Sequence, residues 1–278
     1  MSADIISLPT YASCSALLDA HLQELQKRFG MAMWMITRHN GEDLVVLHLR
    51  DDRFGLHRGE RLPWNSSYCQ RMVEHGAPRI VTDCTRLSRE SMPPLHNVHP
   101  GAYIGLPLMD TDNQLFGTLC AMDPHPQPAA LEAALPALTH DAALVSFLLN
   151  HGLREARQKR LTTFVEHPDR CDETGLPGTK GWEDICRQEA GNCRNFGLEA
   201  SVLYLQAPDD SDNLVIADSL AALLREQDSI AHLGGQRFGI LLADTDEEKS
   251  RRVADRIRDA LNAKQLLVRI DQEKLING

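Results

Sequence analysis

Apolar residues in the first block of the chain recur at helix and strand spacing. Leu18, Leu22 and Leu25 predict an amphipathic helix that ends at Gly30. Alternating runs at 31–38 and 43–50 flank a turn dipeptide and predict a β-hairpin. The remaining elements are predicted at 67–76 (helix), 79–83 (strand), 86–101 (irregular loop) and 102–123 (second hairpin). The block therefore predicts an α+β domain, an antiparallel sheet with flanking helices.

A long helical pattern follows, from about residue 130 to residue 164. Six apolar residues alternate by four and three residues, which is heptad spacing: Leu131, Leu135, Leu138, Ala142, Val145 and Leu149. Pro136 predicts a bend or a break near the start of this helix. Two interpretations stay open: the apolar seam pairs with a second copy of the chain, or it packs on the sheet of its own domain.

The second block alternates helices and strands around a hairpin. Helices are predicted at 182–197, 213–228 and 247–265, and strands at 200–206, at 266–270 and in a hairpin over 229–244 that turns on Gly234 and Gly235. This order is typical of a ferredoxin-like α/β sandwich. The chain as a whole thus predicts two α+β domains.

Charge and composition narrow the function. The net charge is −10, and an acidic chain is poorly suited to neutralising phosphates, so we expect no nucleic-acid partner. The first residues lack the features of a signal peptide, and the apolar run 142–149 is too short to cross a bilayer. We therefore expect a cytoplasmic protein without membrane insertion. The seven cysteines include no C-x-x-C pair, so we interpret them as reduced structural thiols and expect no metal.

The first block resembles GAF sensor domains. The resemblance rests on GAYIGLPLMDTDNQLFGTLCAMDP (101–124) and on SYCQRMV, which precedes it. It implies a fold that binds small molecules or transmits strain between dimer partners. Five residues are candidates to line a cavity there: Trp34, Tyr68, Cys69, Asp83 and Tyr103. Each of them is more typical of a plain core or rim position than of a ligand contact.

The second block resembles GGDEF-type diguanylate cyclases. DETGLPG (172–178) matches the family's opening motif, and REQDSIAHLGGQRFGILLADTD (225–246) matches the stretch around its signature hairpin. We therefore predict a GAF-like sensor domain at 1–150, a linker helix at 151–168 and a truncated, degenerate GGDEF-like domain at 169–278. A homodimer through the linker helix and a signalling-protein partner are further expectations.

The resemblance also implies that cyclase chemistry is lost. The family holds metal ions on a carboxylate at the end of its first strand and on the acidic third signature residue. Here Gln206 and Gln236 stand at those places, in a signature that reads Gly234, Gly235, Gln236, Arg237 and Phe238. Neutral amides bind hard divalent cations weakly, so we predict no catalytic residue, no bound metal and no cofactor. A residual cyclase that uses Asp209 and Asp210 is the alternative.

One functional motif of the family is retained. Arg225 and Asp228 form an R-x-x-D immediately ahead of the hairpin, at the register of the family's inhibitory product site. A guanidinium can grip phosphate or a guanine edge, and a carboxylate can accept from guanine N–H groups. We therefore predict a non-enzymatic regulator that binds cyclic di-GMP through this pair. An interaction scaffold without nucleotide binding is the rival.

Overall fold

The computed structural model describes residues 10–88 and 90–275, and it divides into two compact units between Gly152 and Leu153. The first nine residues, where the sequence predicts no signal peptide, lie outside the described part. The predicted domain limits stay a prediction, because a compact unit and a family domain need not end at the same residue.

The N-terminal unit is built on one antiparallel sheet of six strands, in the order β3-β2-β1-β6-β5-β4. Its elements are α1 (Cys14–Phe29), β1 (Met33–His39), β2 (Asp43–Asp51), β3 (Arg61–Pro63), α2 (Tyr68–Glu74), β4 (Ile80–Val81), β5 (Ala102–Met109) and β6 (Leu115–Asp123). Two short 3-10 helices lie at Cys84–Arg86 and Ala129–Ala134. The predicted helices and hairpins of this block are confirmed, whereas β3 was predicted as loop.

Local chemistry explains where these elements begin and end. The Ser13 side chain accepts from the Ala16 N–H at the start of α1, and Gly30 with φ of +69° ends the helix. In the first hairpin the Asn40 side chain accepts from the N–H groups of Glu42 and Asp43, which fixes the turn before β2.

The long helix α3 (Leu135–Glu166) places its heptad seam inside the N-terminal unit. Leu138, Ala142, Val145 and Leu149 are each at most 3% exposed, so this part of the seam packs on its own domain. The first two residues of the predicted seam, Leu131 and Leu135, are half-buried. Pro136 lies in the first turn of α3, where its missing N–H has no helical partner to lose. The break that it marks is the junction with the preceding 3-10 helix.

By length and composition, one helical stretch among the described residues could cross a membrane, Ala129–Glu166. Four apolar residues of this stretch, Leu138, Ala142, Val145 and Leu149, are buried in the N-terminal unit.

The C-terminal unit is a four-stranded antiparallel sheet in the order β10-β7-β9-β8. Its elements are α4 (Thr179–Phe196), β7 (Ala200–Gln206), α5 (Asn213–Leu223), β8 (Ser229–His232), β9 (Arg237–Ala243), α6 (Glu247–Asn262) and β10 (Arg269–Lys274). Leu220 of α5 and Ile257 of α6 are buried with Leu203 and Ile240 of the sheet in one core. The βαββαβ order confirms the predicted ferredoxin-like sandwich.

Two predicted elements of this unit have the wrong limits. The helix predicted at 213–228 ends at Leu223, because the Asp228 carboxylate accepts from the Arg225 N–H at 3.0 Å and closes a turn there. The strand predicted at 266–270 runs instead from Arg269 to Lys274. The Leu266 N–H still bonds to Leu261 of α6, so the chain enters the sheet later than its apolar pattern suggests.

Candidate functional site

The hairpin formed by β8 and β9, residues 229–243, carries the predicted signature and is called the signature hairpin below. Gly234 and Gly235 have φ of +92° and +58°, in the region where L side chains are strained. The Leu233 N–H donates to the Arg237 carbonyl at 2.8 Å and closes the turn. Phe238 is fully buried in the core. The two glycines and the phenylalanine of the signature therefore have structural roles, in the turn and in the core, that do not depend on a ligand.

The end of β7 meets the signature hairpin, as a shared site requires. Gln206 pairs with Arg237 across the sheet, and the Ala207 N–H donates to the Gln236 carbonyl at 3.0 Å. The exposed Gln206 side chain donates to the Ala207 carbonyl at 3.0 Å. Two neutral amides and a guanidinium thus occupy this edge, and that donor set attracts anions better than divalent cations.

The turn after β7 carries three carboxylates that are close together in the sequence but have different roles in the structure. Asp212 accepts from the N–H groups of Leu214 and Val215 and caps α5. Asp209 and Asp210 are exposed in the preceding turn. One of the three clustered carboxylates is therefore committed to a helix terminus.

Arg225 and Asp228 lie together in the turn between α5 and β8. One Asp228 oxygen accepts from the Arg225 N–H at 3.0 Å and the other from the Ala243 N–H at 3.2 Å. Burial raises the pKa of Asp228, although these two amides and the charges of Arg225 and Arg160 act in the opposite direction. The Arg225 side chain is exposed.

This turn forms one wall of a groove of about 540 Å³, called the turn groove below, whose other wall is the last part of α3. Its lining residues are Gln158, Leu161, Thr162, Phe164, Val165, Glu166, Ala221, Leu224, Arg225, Glu226, Asp228 and Ile230. The wall is mostly apolar, and Val165 is 64% exposed in it. The charged groups of the lining are one guanidinium and three carboxylates. They suit a ligand that offers N–H donors to the carboxylates and an acceptor or anionic group to Arg225 alone.

Comparison with known proteins assigns both halves of the chain. The GAF domain family matches residues 13–151, and the family described as "Diguanylate cyclase, GGDEF domain" matches residues 214–277. The chain belongs to the GAF family and carries a GGDEF domain after its GAF domain. This confirms the resemblance and links the architecture to cyclic di-GMP signalling.

The curated relatives are diguanylate cyclases. Diguanylate cyclase DgcP of Pseudomonas aeruginosa is 29% identical over 174 residues, which are 55% of this chain and 25% of that protein. Probable diguanylate cyclase DgcC of Escherichia coli K12 is 26% identical over 106 residues, 34% of this chain and 29% of that protein. The chain therefore spans between a quarter and a third of the length of these relatives.

Solved structures similar to parts of the chain include a GAF domain and a GGDEF domain. A GAF domain from an Acinetobacter phosphoenolpyruvate-protein phosphotransferase covers 51% of this chain and 85% of its own, with 16% identity and a TM-score of 0.43. The GGDEF domain of DgcB from Caulobacter crescentus, solved in complex with c-di-GMP, covers 40% of this chain and 77% of its own, with 11% identity and a TM-score of 0.36.

The GAF domain contains a small cavity of about 120 Å³, against ~300–1,000 Å³ for typical ligand pockets. Tyr68 and Cys69 line it, as predicted. Tyr103 lies behind them, with its ring 4.5 Å from that of Tyr68 and its hydroxyl donating to the Cys69 sulfur. Trp34 instead donates to the Gly30 carbonyl, and Asp83 caps a 3-10 helix. The five candidates do not form one ligand surface.

Sequence reasoning missed one pair in the C-terminal unit. Cys171 was grouped with the structural thiols, yet its sulfur lies 2.9 Å from Nδ1 of His232, the last residue of β8. The two residues are 61 positions apart, so no spacing rule brings them together. The only sequence signal is that a cysteine and a histidine each adjoin a motif of the family.

Proposed function

We propose that this protein is a non-enzymatic cytosolic regulator that binds cyclic di-GMP through Arg225 and Asp228 of its GGDEF domain. The observation that carries the proposal is the exposed Arg225 side chain at the rim of the turn groove, beside carboxylates and an apolar wall. That combination matches the chemistry of a guanine nucleotide better than the edge of the signature hairpin does, where neutral Gln206 and Gln236 stand.

Each part of the ligand has a counterpart in the groove. The guanine edge offers N1–H and N2–H donors to the Asp228 and Glu226 carboxylates. The guanidinium of Arg225 can bind a phosphate or the O6 and N7 acceptors by its planar fork of donors. Val165 and Leu224 supply apolar surface against which a base can lie. The carboxylates repel phosphate, so we place the phosphates on the Arg225 side of the groove.

Loss of turnover follows from the donor set at the hairpin edge. Joining two GTP molecules requires divalent cations held on anionic oxygen, because the metal neutralises charge that develops on the phosphates. Gln206 and Gln236 offer only amide oxygens, and Arg237 adds a positive charge beside them. We therefore propose that the domain retains the fold and a nucleotide-binding surface without the reaction.

Calorimetric titration with cyclic di-GMP tests the proposal. We expect micromolar or tighter binding by the wild-type protein and a loss of at least ~10-fold in Arg225→Ala, since a charge-assisted contact is worth about 1.5–3 kcal/mol. Arg252→Ala is the matched control, an exposed arginine of α6 outside the groove. Binding that ignores Arg225→Ala contradicts the proposed site.

A product assay with GTP and Mg²⁺ or Mn²⁺ tests the non-enzymatic part separately. We expect no cyclic di-GMP above the level of a protein-free control. Product that disappears in an Asp209→Asn/Asp210→Asn variant would establish the rival, a residual cyclase with altered metal ligation.

The second candidate function is an interaction scaffold, favoured by an apolar face of α3. Leu144 is 42% exposed and Phe147 is 60% exposed, on the side of the helix away from the buried seam. If this face joins two copies of the chain, light scattering on the eluting protein will give a dimer mass for the wild type and a monomer mass for Phe147→Glu. A stable dimer with no nucleotide binding would favour this function over the first.

A further inference from the structure

Three potential metal ligands converge beside the turn of the signature hairpin. Cys171 and Glu173 come from the loop 170–178, called the cysteine loop below, and His232 ends β8. One ligand atom from each of the three residues lies within 4.8 Å of the other two. The closest pair is the Cys171 sulfur and His232 Nδ1, at 2.9 Å. None of them belongs to the hairpin edge that carries Gln206 and Gln236.

Backbone contacts hold the cluster together without help from a ligand. The Cys171 N–H donates to the Leu176 carbonyl at 2.9 Å, which closes the cysteine loop. The His232 N–H donates to the Pro177 carbonyl at 2.9 Å, which fixes the loop to the hairpin. The His232 ring is 7% exposed and stacks on Phe238 at 4.9 Å between centroids. The two closest ligand atoms are therefore positioned by the fold.

The contact of Nε2 fixes the tautomer of the His232 ring, and therefore the state of the Nδ1 atom that faces the cysteine. Nε2 lies 2.7 Å from the Gly235 carbonyl oxygen, and a carbonyl only accepts, so Nε2 carries a proton. In the neutral ring the lone pair is then on Nδ1, directed at the Cys171 sulfur. A backbone carbonyl that holds the second imidazole nitrogen in this way is a regular feature of metal-ligating histidines.

The surroundings of the Cys171 thiol affect its pKa in opposite directions. Burial acts to raise the pKa of Cys171, but hydrogen bonds with Thr174, His232 and the Glu173 N–H outweigh it and lower the pKa to about 7. The pKa of His232 is raised, because its contacts with Gly235 and with the Cys171 sulfur outweigh its burial. The proposed site rests on the geometry of these groups, in which the sulfur lies 2.9 Å from Nδ1.

We propose that Cys171, Glu173 and His232 bind a zinc ion, with a fourth position open to water. The donor set is one thiolate, one imidazole and one carboxylate, which suits Zn²⁺ and excludes Mg²⁺ and Ca²⁺, because those hard cations avoid sulfur. The Glu173 carboxylate is exposed and accepts from the Asn213 side chain at 3.0 Å. That contact orients the carboxylate as the third ligand while solvent reaches the open position.

The site would join two parts of the domain that are far apart in the chain. A zinc ion held by the cysteine loop and by His232 crosslinks the segment before α4 to the first strand of the signature hairpin. Because the unfolded chain holds no such site, binding stabilises the folded domain. We expect zinc to raise the melting temperature and to slow amide exchange in the cysteine loop.

The test uses the full 278-residue chain without a histidine tag, freed of metal by a chelator and titrated with Co²⁺ and then Zn²⁺. We expect one equivalent of Co²⁺ to produce a thiolate-to-cobalt charge-transfer band in the near ultraviolet, and Zn²⁺ to remove it. Competition with a chromophoric chelator gives the zinc affinity. Cys171→Ser should abolish the band and weaken zinc binding by more than the ~10–100-fold typical of second-shell changes.

Two further variants separate ligation from folding. Glu173→Gln changes an exposed side chain and retains an oxygen that can accept from Asn213, so circular dichroism should show a folded protein. This variant should bind zinc at least ~10-fold more weakly than the wild type. Cys186→Ser changes a cysteine of α4 outside the cluster and should keep both the band and the affinity. A wild-type protein without the band, or a band and affinity that persist in Cys171→Ser, would overturn the proposal.

Discussion

Replacing Arg160 with methionine should destabilise the C-terminal unit more than any surface change in the same helix. Arg160 lies near the end of α3 and is 0% exposed. Its Nε is 2.9 Å from the Glu189 carboxylate, which is itself only 2% exposed. Its other nitrogens donate to the Ser229 hydroxyl at 2.7 Å and to the Gln227 carbonyl at 2.5 Å. One side chain thus joins α3, α4 and the start of the signature hairpin.

The magnitude follows from what methionine leaves behind. The Glu189 carboxylate would remain buried with only the Asn192 amide, which donates to it at 2.9 Å, and without a counter-charge. Breaking a buried ion pair by removing one partner costs about 3–5 kcal/mol. We expect Arg160→Met to lower the free energy of unfolding by this amount, equivalent to roughly a hundred- to several-thousand-fold in the folding equilibrium. Arg160→Met/Glu189→Leu should recover most of the loss, because no lone charge then remains.

Hydrogen exchange followed by mass spectrometry is the suitable assay, since peptides from α4 and β7 report the GGDEF domain separately from the GAF domain. Arg157→Met is the matched control. Arg157 lies one turn earlier in the helix, about 40% exposed, and its 3.4 Å pair with Asp244 is a surface pair worth at most ~1 kcal/mol. A loss below ~1 kcal/mol in Arg160→Met, or a double variant as unstable as the sum of its single changes, would refute the reasoning.

Three further outcomes are expected. Alkylation of Cys171 should become faster as the pH rises through about 7 and then level off, because the thiolate is the reactive form. Burial raises the pKa of Cys186 to about 12, so Cys186 should stay unlabelled in the folded protein. Peptide mass spectrometry measures both, and equal labelling of the two cysteines would contradict the prediction. Asp228→Ala should cost about 1–3 kcal/mol in chemical unfolding, because two backbone N–H groups lose their acceptor, and an unchanged midpoint would exclude that role. Gly235→Ala should lower stability by ~1 kcal/mol through its positive φ, with open space around it; a neutral result would mean that the turn relaxes.

Most of the fold was accessible from sequence because each element signals itself locally. Strand β7 and the signature hairpin were predicted close to their observed limits, since apolar residues and a glycine pair define them. The helix α5 was predicted too long, because residues 225–228 contain no glycine or proline to mark its end. The turn that ends it depends on the Asp228 carboxylate, which accepts from the Arg225 N–H. The seam of α3 was ambiguous in principle, because heptad spacing fits a partner helix and a partner sheet equally well.

The candidate sites also differ in whether local sequence or a long-range contact brings their residues together. Arg225 and Asp228 were found because they are three residues apart in one motif, and the structure places both at the turn groove. The cluster of Cys171 and His232 was missed because it depends on how the cysteine loop folds back on β8, a contact between residues 61 positions apart. Local patterns therefore predict sites that lie within one turn or hairpin, and tertiary contacts decide the rest.

The turn that holds Asp228 supports the structure in a way that does not exclude a ligand. Each oxygen of its carboxylate accepts one backbone N–H, and a carboxylate offers about four lone-pair sites, so each oxygen keeps a further acceptor position. Removing Asp228 would therefore alter folding and binding together. Arg225 contributes to the turn through its backbone N–H and carbonyl, which alanine retains, while its exposed side chain is available to a ligand. Arg225→Ala thus separates the two roles: it should leave the unfolding midpoint unchanged, so any binding that it removes was made by the guanidinium.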